Sequence, residues 1–146
     1  METRVKIQDA QPLAWKAMYN LSNYLEGTKL TKSQHELIKI RSSQINGCAF
    51  CIDMHTKDAL KNGETTQRIF LLNAWKETDK FSEEEKVLLA ITEEVTLINQ
   101  HGLTDETYKN AKKFFSEEVI AQIIMAVVVI NGWNRIAIST RMPVGE

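Results

Sequence analysis

Ile123-Ile124-Met125-Ala126-Val127-Val128-Val129-Ile130 is the stretch whose reading decides the fold class. β-Branched residues dominate it, and an unbroken apolar run has no period of its own, so a buried strand and a buried helix compete for it. A helix is the better reading. No other segment reads as a strand to pair with it, and a strand without partners has no stable form. Upstream, Ser116 followed by Glu117 and Glu118 supplies a capping side chain and first-turn acids, a good helix start. A helix apolar on every side belongs in a core or a subunit interface. A membrane span would need about 18 or more consecutive apolar residues, and Gln122, Asn131, Asn134 and Arg135 interrupt this run too soon.

Outward from this run, apolar residues recur at helical spacing and breakers fall between the periodic stretches, which predicts an all-α fold of about six to seven helices. Pro12 suits the first turn of a helix to about Leu25, with Leu13, Ala17, Leu21 and Tyr24 on one side. Thr31 or Ser33 caps a second helix to about Ile45, with Ser33 and Glu36 at capping-box spacing. A third runs from about Cys48 to Asn62 and ends at Gly63. Thr65 or Thr66 starts a fourth, carrying Ile69, Leu72 and Trp75. Ser82-Glu83-Glu84-Glu85 opens a fifth, which presents Val87, Leu88, Ile91, Val95 and Ile98 and closes near Gln100. Thr104 and Ser116 cap two more.

The chain has 146 residues, 43% of them hydrophobic. That is enough to bury one core, and no repeat or linker divides it, so one domain over residues 1–146 is expected. A net charge of −1 gives no general attraction to nucleic acid or anionic lipid. Lys109, Lys112 and Lys113 read as a solvated helix face. The segment Met1-Glu2-Thr3-Arg4-Val5-Lys6 lacks the apolar core of a secretory signal, so the expected compartment is the cytoplasm. In that compartment the Asn20-Leu21-Ser22 sequon carries no meaning.

Both cysteines lie in Asn46-Gly47-Cys48-Ala49-Phe50-Cys51-Ile52-Asp53-Met54-His55. A bridge closing so short a loop stabilises little, and a close pair in a reducing compartment reads as catalytic, redox-sensing or metal-binding. On a helix starting near Cys48, the two cysteines and His55 share one face. Helix N-terminal N–H groups favour thiolate over thiol, and an adjacent imidazole accepts the proton or pairs with the sulfur anion. Such a thiolate attacks a peroxide oxygen or a disulfide sulfur, and the second cysteine then closes a Cys48–Cys51 disulfide. Covalent haem is excluded because Ile52 stands where the attachment motif needs histidine, and a thioredoxin fold is excluded by the missing strand–helix alternation. Structural zinc on Cys48, Cys51 and His55, completed by His35, His101 or Glu36, stays open, as does a pair of inert thiols.

Glu36 followed twelve residues later by Cys48, Cys51 and His55, together with Leu37 to Gly47 between them, resembles the alkylhydroperoxidase D (AhpD-like) family of the carboxymuconolactone decarboxylase superfamily. Ile130-Asn131-Gly132-Trp133-Asn134-Arg135-Ile136-Ala137 is similar to the Trp-Asn-Arg segment of its small members. The resemblance implies an all-helical domain and a homo-oligomer, a hexamer arranged as a trimer of dimers. It also implies that Cys51 attacks peroxide, Cys48 resolves, His55 is the base, and Glu36 orients or relays protons. Phe50 departs from the pattern: better-studied peroxidase members carry a histidine there. That removes a titratable group and points toward weaker peroxidase turnover, with disulfide exchange as the main activity. Members that decarboxylate a lactone lack the cysteine pair.

The expectation is therefore a thiol-dependent antioxidant enzyme. It reduces organic hydroperoxides or exchanges disulfides, needs no metal or flavin, and is regenerated by an external dithiol such as a lipoyl protein. The alternatives are a zinc-stabilised structural assembly and a nonenzymatic redox sensor. His35 points about 100° away from Glu36 on a helix and reads as a surface or interface residue. His101 reads as serving a helix end before Gly102, and Trp133 and Arg135 read as packing and interface residues.

Overall fold

The Ile123–Ile130 run lies inside a helix of 24 residues, Glu117–Thr140, whose N-cap is Ser116; the Ser116 hydroxyl accepts from the Val119 N–H. This computed structural model describes residues 2–145 and contains eight α-helices and no strand among them. They are α1 (Ile7–Ala10), α2 (Pro12–Tyr24), α3 (Lys32–Asn46), α4 (Ala49–Lys61), α5 (Thr66–Leu71), α6 (Glu83–Thr96), α7 (Asp105–Ala111) and α8 (Glu117–Thr140), with 3-10 turns at Leu25–Gly27 and Leu72–Glu77. The count exceeds the expected six to seven because of the single turn α1, whose residues include none that are buried and so left no apolar period to read.

The core forms where α3, α6 and α8 meet. Ile38 and Ile40 of α3, Leu88, Leu89 and Ile91 of α6, and Ile123, Val127 and Ile130 of α8 are buried together. By length and composition α8 is apolar enough to cross a membrane. Its buried residues nevertheless pack on α3 and α6, and the polar residues that interrupt it are bonded within the protein. Asn134 is fully buried; its carbonyl accepts from Asn46 Nδ2 at 2.9 Å, and its own Nδ2 donates to Ser43 Oγ at 2.9 Å. Asn131 accepts from the same Asn46 amide at 2.9 Å and donates to Thr96 Oγ1 at 3.1 Å. One amide network thus joins the C-terminal ends of α3 and α6 to the middle of α8.

Several boundaries differ from the sequence expectation for local reasons. Thr31, not Ser33, caps α3, and the box partner is Gln34, so Glu36 is not a capping residue. The Ser82–Glu85 box opens α6 as expected. That helix ends at Thr96, however, and Ile98 lies beyond it, 62% exposed, instead of in the core. On α2, Leu13 is 81% exposed and no residue is fully buried. The α2 side chains that turn inward are Trp15, Met18 and Leu21, which are half-buried. At Gly132 of α8 the Met18 side chain of α2 packs close, and a Cβ there would stand 3.0 Å from Met18 Cε. Lys109, Lys112 and Lys113 are exposed, as read from the sequence.

Asn134→Ala should lower stability by about 2 kcal/mol, because it strips a buried amide from two partners. In a chain of this size that corresponds to a melting temperature lower by roughly 4–8 °C. Thermal unfolding followed by far-UV circular dichroism measures it, and an unchanged midpoint would show that the network is not holding α3 to α8.

Candidate active site

The turn between α3 and α4 builds the site. Gly47 ends α3 in the left-handed conformation, φ 72°, where a side chain would be strained. Its N–H donates to Gln44 O, and the Cys48 N–H donates to Ser43 O at 3.0 Å. Cys48 is then extended and serves as the N-cap of α4, its sulfur accepting from the Cys51 N–H at 3.3 Å. Cys51 sits in the first turn of α4, where unpaired N–H groups favour an anionic sulfur. The two cysteines form a disulfide with Cα atoms 5.3 Å apart.

Both sulfurs are buried, yet their surroundings differ. Cys51 helps to line a cavity of about 690 Å³ with Phe50, Met54, His55, Glu36 and Lys39, whereas Cys48 does not contribute to that wall. The far side of the cavity is aromatic. Trp133 of α8 meets Trp15 edge-on at 5.1 Å and Tyr19 at 5.5 Å, and its indole N–H donates to Ser22 Oγ at 2.7 Å. Trp133 is therefore a cavity wall and not only packing. Arg135 is exposed and bonds back to Asn131 within α8.

His55 lies one turn beyond Cys51 on α4, and Glu36 faces it from α3, with Nδ1 and Oε2 3.4 Å apart and both residues buried. The approach is close enough for an ion pair, but neither atom has an aligned hydrogen bond. Lys39, one turn along α3, stands 3.6 Å from the other Glu36 oxygen. Burial opposes ionisation of Glu36, but His55 and Lys39 together outweigh it, so the carboxyl titrates below its ordinary range. The four residues Glu36, Cys48, Cys51 and His55 thus do come together. His35 departs from the surface or interface reading: it is half-buried, lines the cavity, and places Nε2 3.1 Å from Thr28 Oγ1. Burial first, then the charge of Lys39, lowers its pKa. His101 is exposed in the turn before Gly102.

The donors that the structure gathers for a metal are not the cysteine–histidine set. With both sulfurs in the disulfide, the group brought within 4.8 Å of one another is Glu36, His55 and Asp58. Sequence reasoning missed Asp58, although its place three residues after His55 puts it on the same helix face. It also took Asn131 and Asn134 as interruptions of an apolar run and as part of a family-like segment, not as hydrogen-bonding groups; two amides inside a core helix were the available sign of a buried polar network.

A family model described as the carboxymuconolactone decarboxylase family matches residues 12–94. An uncharacterized protein of Bacillus subtilis (strain 168), YdfG, is 44% identical over 139 residues, 95% of each chain. Among solved structures, a protein of unknown function from Agrobacterium tumefaciens, proposed to be the antioxidant defence protein AhpD, superposes with a TM-score of 0.95 at 39% identity, covering 99% of both chains. The debrominase Bmp8 gives a TM-score of 0.84 at 18% identity, over 94% of this chain and 74% of its own, which is a likeness of fold.

The low pKa of Glu36 fixes the sign of a pH effect. A carboxyl whose folded pKa lies below its unfolded value adds stability above the unfolded pKa, and loses it as pH falls through the folded pKa. Wild type should therefore exceed Glu36→Gln in stability near neutrality, and the gap should close in acid. Urea unfolding of both proteins across that range measures it; a gap that stays constant with pH would show that the carboxylate charge is not what His55 and Lys39 hold.

Proposed function

The chain belongs to the carboxymuconolactone decarboxylase family, and we propose that within it this protein is an AhpD-like thiol enzyme that reduces organic hydroperoxides or exchanges disulfides. The observation that carries the proposal is the asymmetry of the cysteines: Cys51 opens to a largely apolar cavity shared with His55 and Glu36, while Cys48 sits behind it. An apolar chamber with an aromatic wall suits an organic substrate over hydrogen peroxide.

In this reading the site starts as the dithiol. His55 takes the Cys51 proton; with Nδ1 turned to Glu36, the other ring nitrogen is left for the sulfur. The ionised carboxylate steadies the imidazolium that forms. The Cys51 thiolate attacks the terminal peroxide oxygen, the O–O bond breaks, and the alkoxide leaves as the alcohol with the proton held by His55. Cys51 is now a sulfenic acid. The Cys48 thiol displaces hydroxide from it as water, giving the Cys48–Cys51 disulfide. Two electrons from an external dithiol, a lipoyl group for example, return the pair to thiols. Exchange with a disulfide substrate uses the same groups with a thiolate as leaving group. We take the chain to work in the cytoplasm as one domain and as a homo-oligomer, a hexamer by analogy with small family members; exposed Leu13, Phe70 and Val128 are apolar surface that an assembly would cover.

Reduced protein mixed with cumene hydroperoxide should lose two thiols per chain in a titration with a thiol reagent. Cys51→Ser should abolish the loss, and Cys48→Ser should leave a sulfenic acid that dimedone labels. The reverse pattern would exchange the roles, and full retention of thiols against both peroxide and lipoamide would sink the proposal.

Phe50 forms the cavity wall beside Cys51 without offering a proton. Phe50→His should raise the rate of peroxide reduction by about tenfold, a modest value for an added acid–base group. Stopped-flow measurement of thiol oxidation reads it, and an unchanged rate would remove Phe50 as the residue that limits turnover.

A further inference from the structure

Glu36 Oε2 and His55 Nδ1, like His35 Nδ1 elsewhere on the cavity wall, have no aligned hydrogen bond, and these two are buried and face one another as a long ion pair. Unpaired buried polar atoms cost free energy unless something fills the place between them. Their separation is 3.4 Å. Two ligands on a tetrahedral zinc ion, with bonds of about 2.0–2.1 Å, stand roughly 3.3–3.4 Å apart. The separation of these two atoms thus matches in length the edge of a zinc coordination tetrahedron.

A third donor lies beside them. Asp58, three residues after His55 on α4, brings a carboxylate oxygen that with the other two falls within 4.8 Å. Lys39 engages Oε1 of Glu36 and leaves Oε2 for a cation. One imidazole and two carboxylates suit a first-row divalent ion such as Zn²⁺. We propose that Glu36, His55 and Asp58 form a site for one Zn²⁺ ion, with water in the fourth position, and that occupation of the site inhibits the enzyme.

The inhibition follows from which groups the ion takes, and in that part the inference rests on the proton pathway proposed above. An imidazole bound through Nδ1 to Zn²⁺ no longer becomes an imidazolium paired with Glu36, and the carboxylate is held by the ion. The thiols are not ligands, which separates this site from a cysteine-based structural zinc site and allows it to form while Cys48 and Cys51 are joined.

The test uses the full chain in its disulfide form, so that thiols do not contribute. Calorimetric titration with ZnCl₂ should show one ion per chain, and saturating Zn²⁺ should raise the melting temperature, since a ligand bound only by the folded state stabilises it. Asp58→Asn and Glu36→Gln should each weaken binding by about tenfold or more, as loss of a ligand costs at least as much as loss of an outer partner. His101→Ala, at an exposed turn, should leave the affinity as it is. Absence of both the heat and the melting shift overturns the site, as does an affinity that neither carboxyl substitution changes or that His101→Ala alone removes. Zn²⁺ should also slow thiol oxidation by cumene hydroperoxide in reduced wild type, with recovery on adding EDTA; a rate unchanged at saturating Zn²⁺ overturns the inhibitory role. The calorimetry reads the site even in a protein that consumes no peroxide, so failure of one reading is distinct from failure of the other.

Discussion

The left-handed turn at Gly47 is the constraint on which the rest of the site depends. With only Gly47 and Cys48 between α3 and α4, the chain has to fold back at once. Glu36 lies ten residues before the end of α3 and His55 six residues after the start of α4, which at 1.5 Å per residue is about 15 Å and 9 Å along the two helices. Helices that fold back on one another over such lengths bring those two long side chains within reach, and their facing atoms stand 3.4 Å apart. The same turn puts Cys48 at the cap of α4, its sulfur accepting from the Cys51 N–H, and Cys51 in the first turn. A residue with a Cβ at position 47 would be strained at φ 72°, and the register of all four residues would be exposed to that strain.

The turn is held from behind by amides rather than by apolar packing. Asn46, the last residue of α3, donates to both Asn131 and Asn134 of α8, and Asn134 in turn reaches Ser43 one turn back on α3. Apolar contacts are non-directional and tolerate sliding of one helix along another. Hydrogen bonds between buried amides do not, because a slipped register leaves each group unpaired in a low dielectric. The network therefore fixes where α3 ends relative to α8, and with it the wall of the cavity that Trp133 and Phe50 share.

The course of the chain was largely legible in the sequence, and the reasons are local. Ser82, Thr104 and Ser116 are caps because their hydroxyls reach N–H groups three residues on, a rule that needs no tertiary information. Glu36 with Cys48, Cys51 and His55 was legible as a spacing. What the sequence withheld depends on which side of a helix meets which neighbour. Leu13 and Ile98 fit apolar periods yet are exposed, and Trp15 turns inward because Trp133 is there to meet it. Thr31 took the cap from Ser33 because Gln34 completes its box. Asp58 and His35 became part of the site only when α3 and α4 were folded together.

Electrostatics ties these parts into one argument about the sulfur. An ionised Glu36 close to the cysteine pair would by itself oppose a thiolate, since like charges in a poorly screened site repel. In the proposed mechanism His55 reverses the effect: once it has taken the thiol proton it is a cation beside the carboxylate, and Cys51, His55 and Glu36 read negative, positive, negative in order. Lys39 balances the remaining charge on the outer carboxylate oxygen. The carboxylate is kept ionised against burial by His55 and Lys39, so in the proposed mechanism the site is prepared for the charge that His55 acquires. Phe50 lines the cavity with Cys51 and adds no second proton carrier. In the proposed mechanism His55 serves both the attacking sulfur and the departing oxygen, which ties the proposed peroxide step to how fast one imidazole takes and returns its proton.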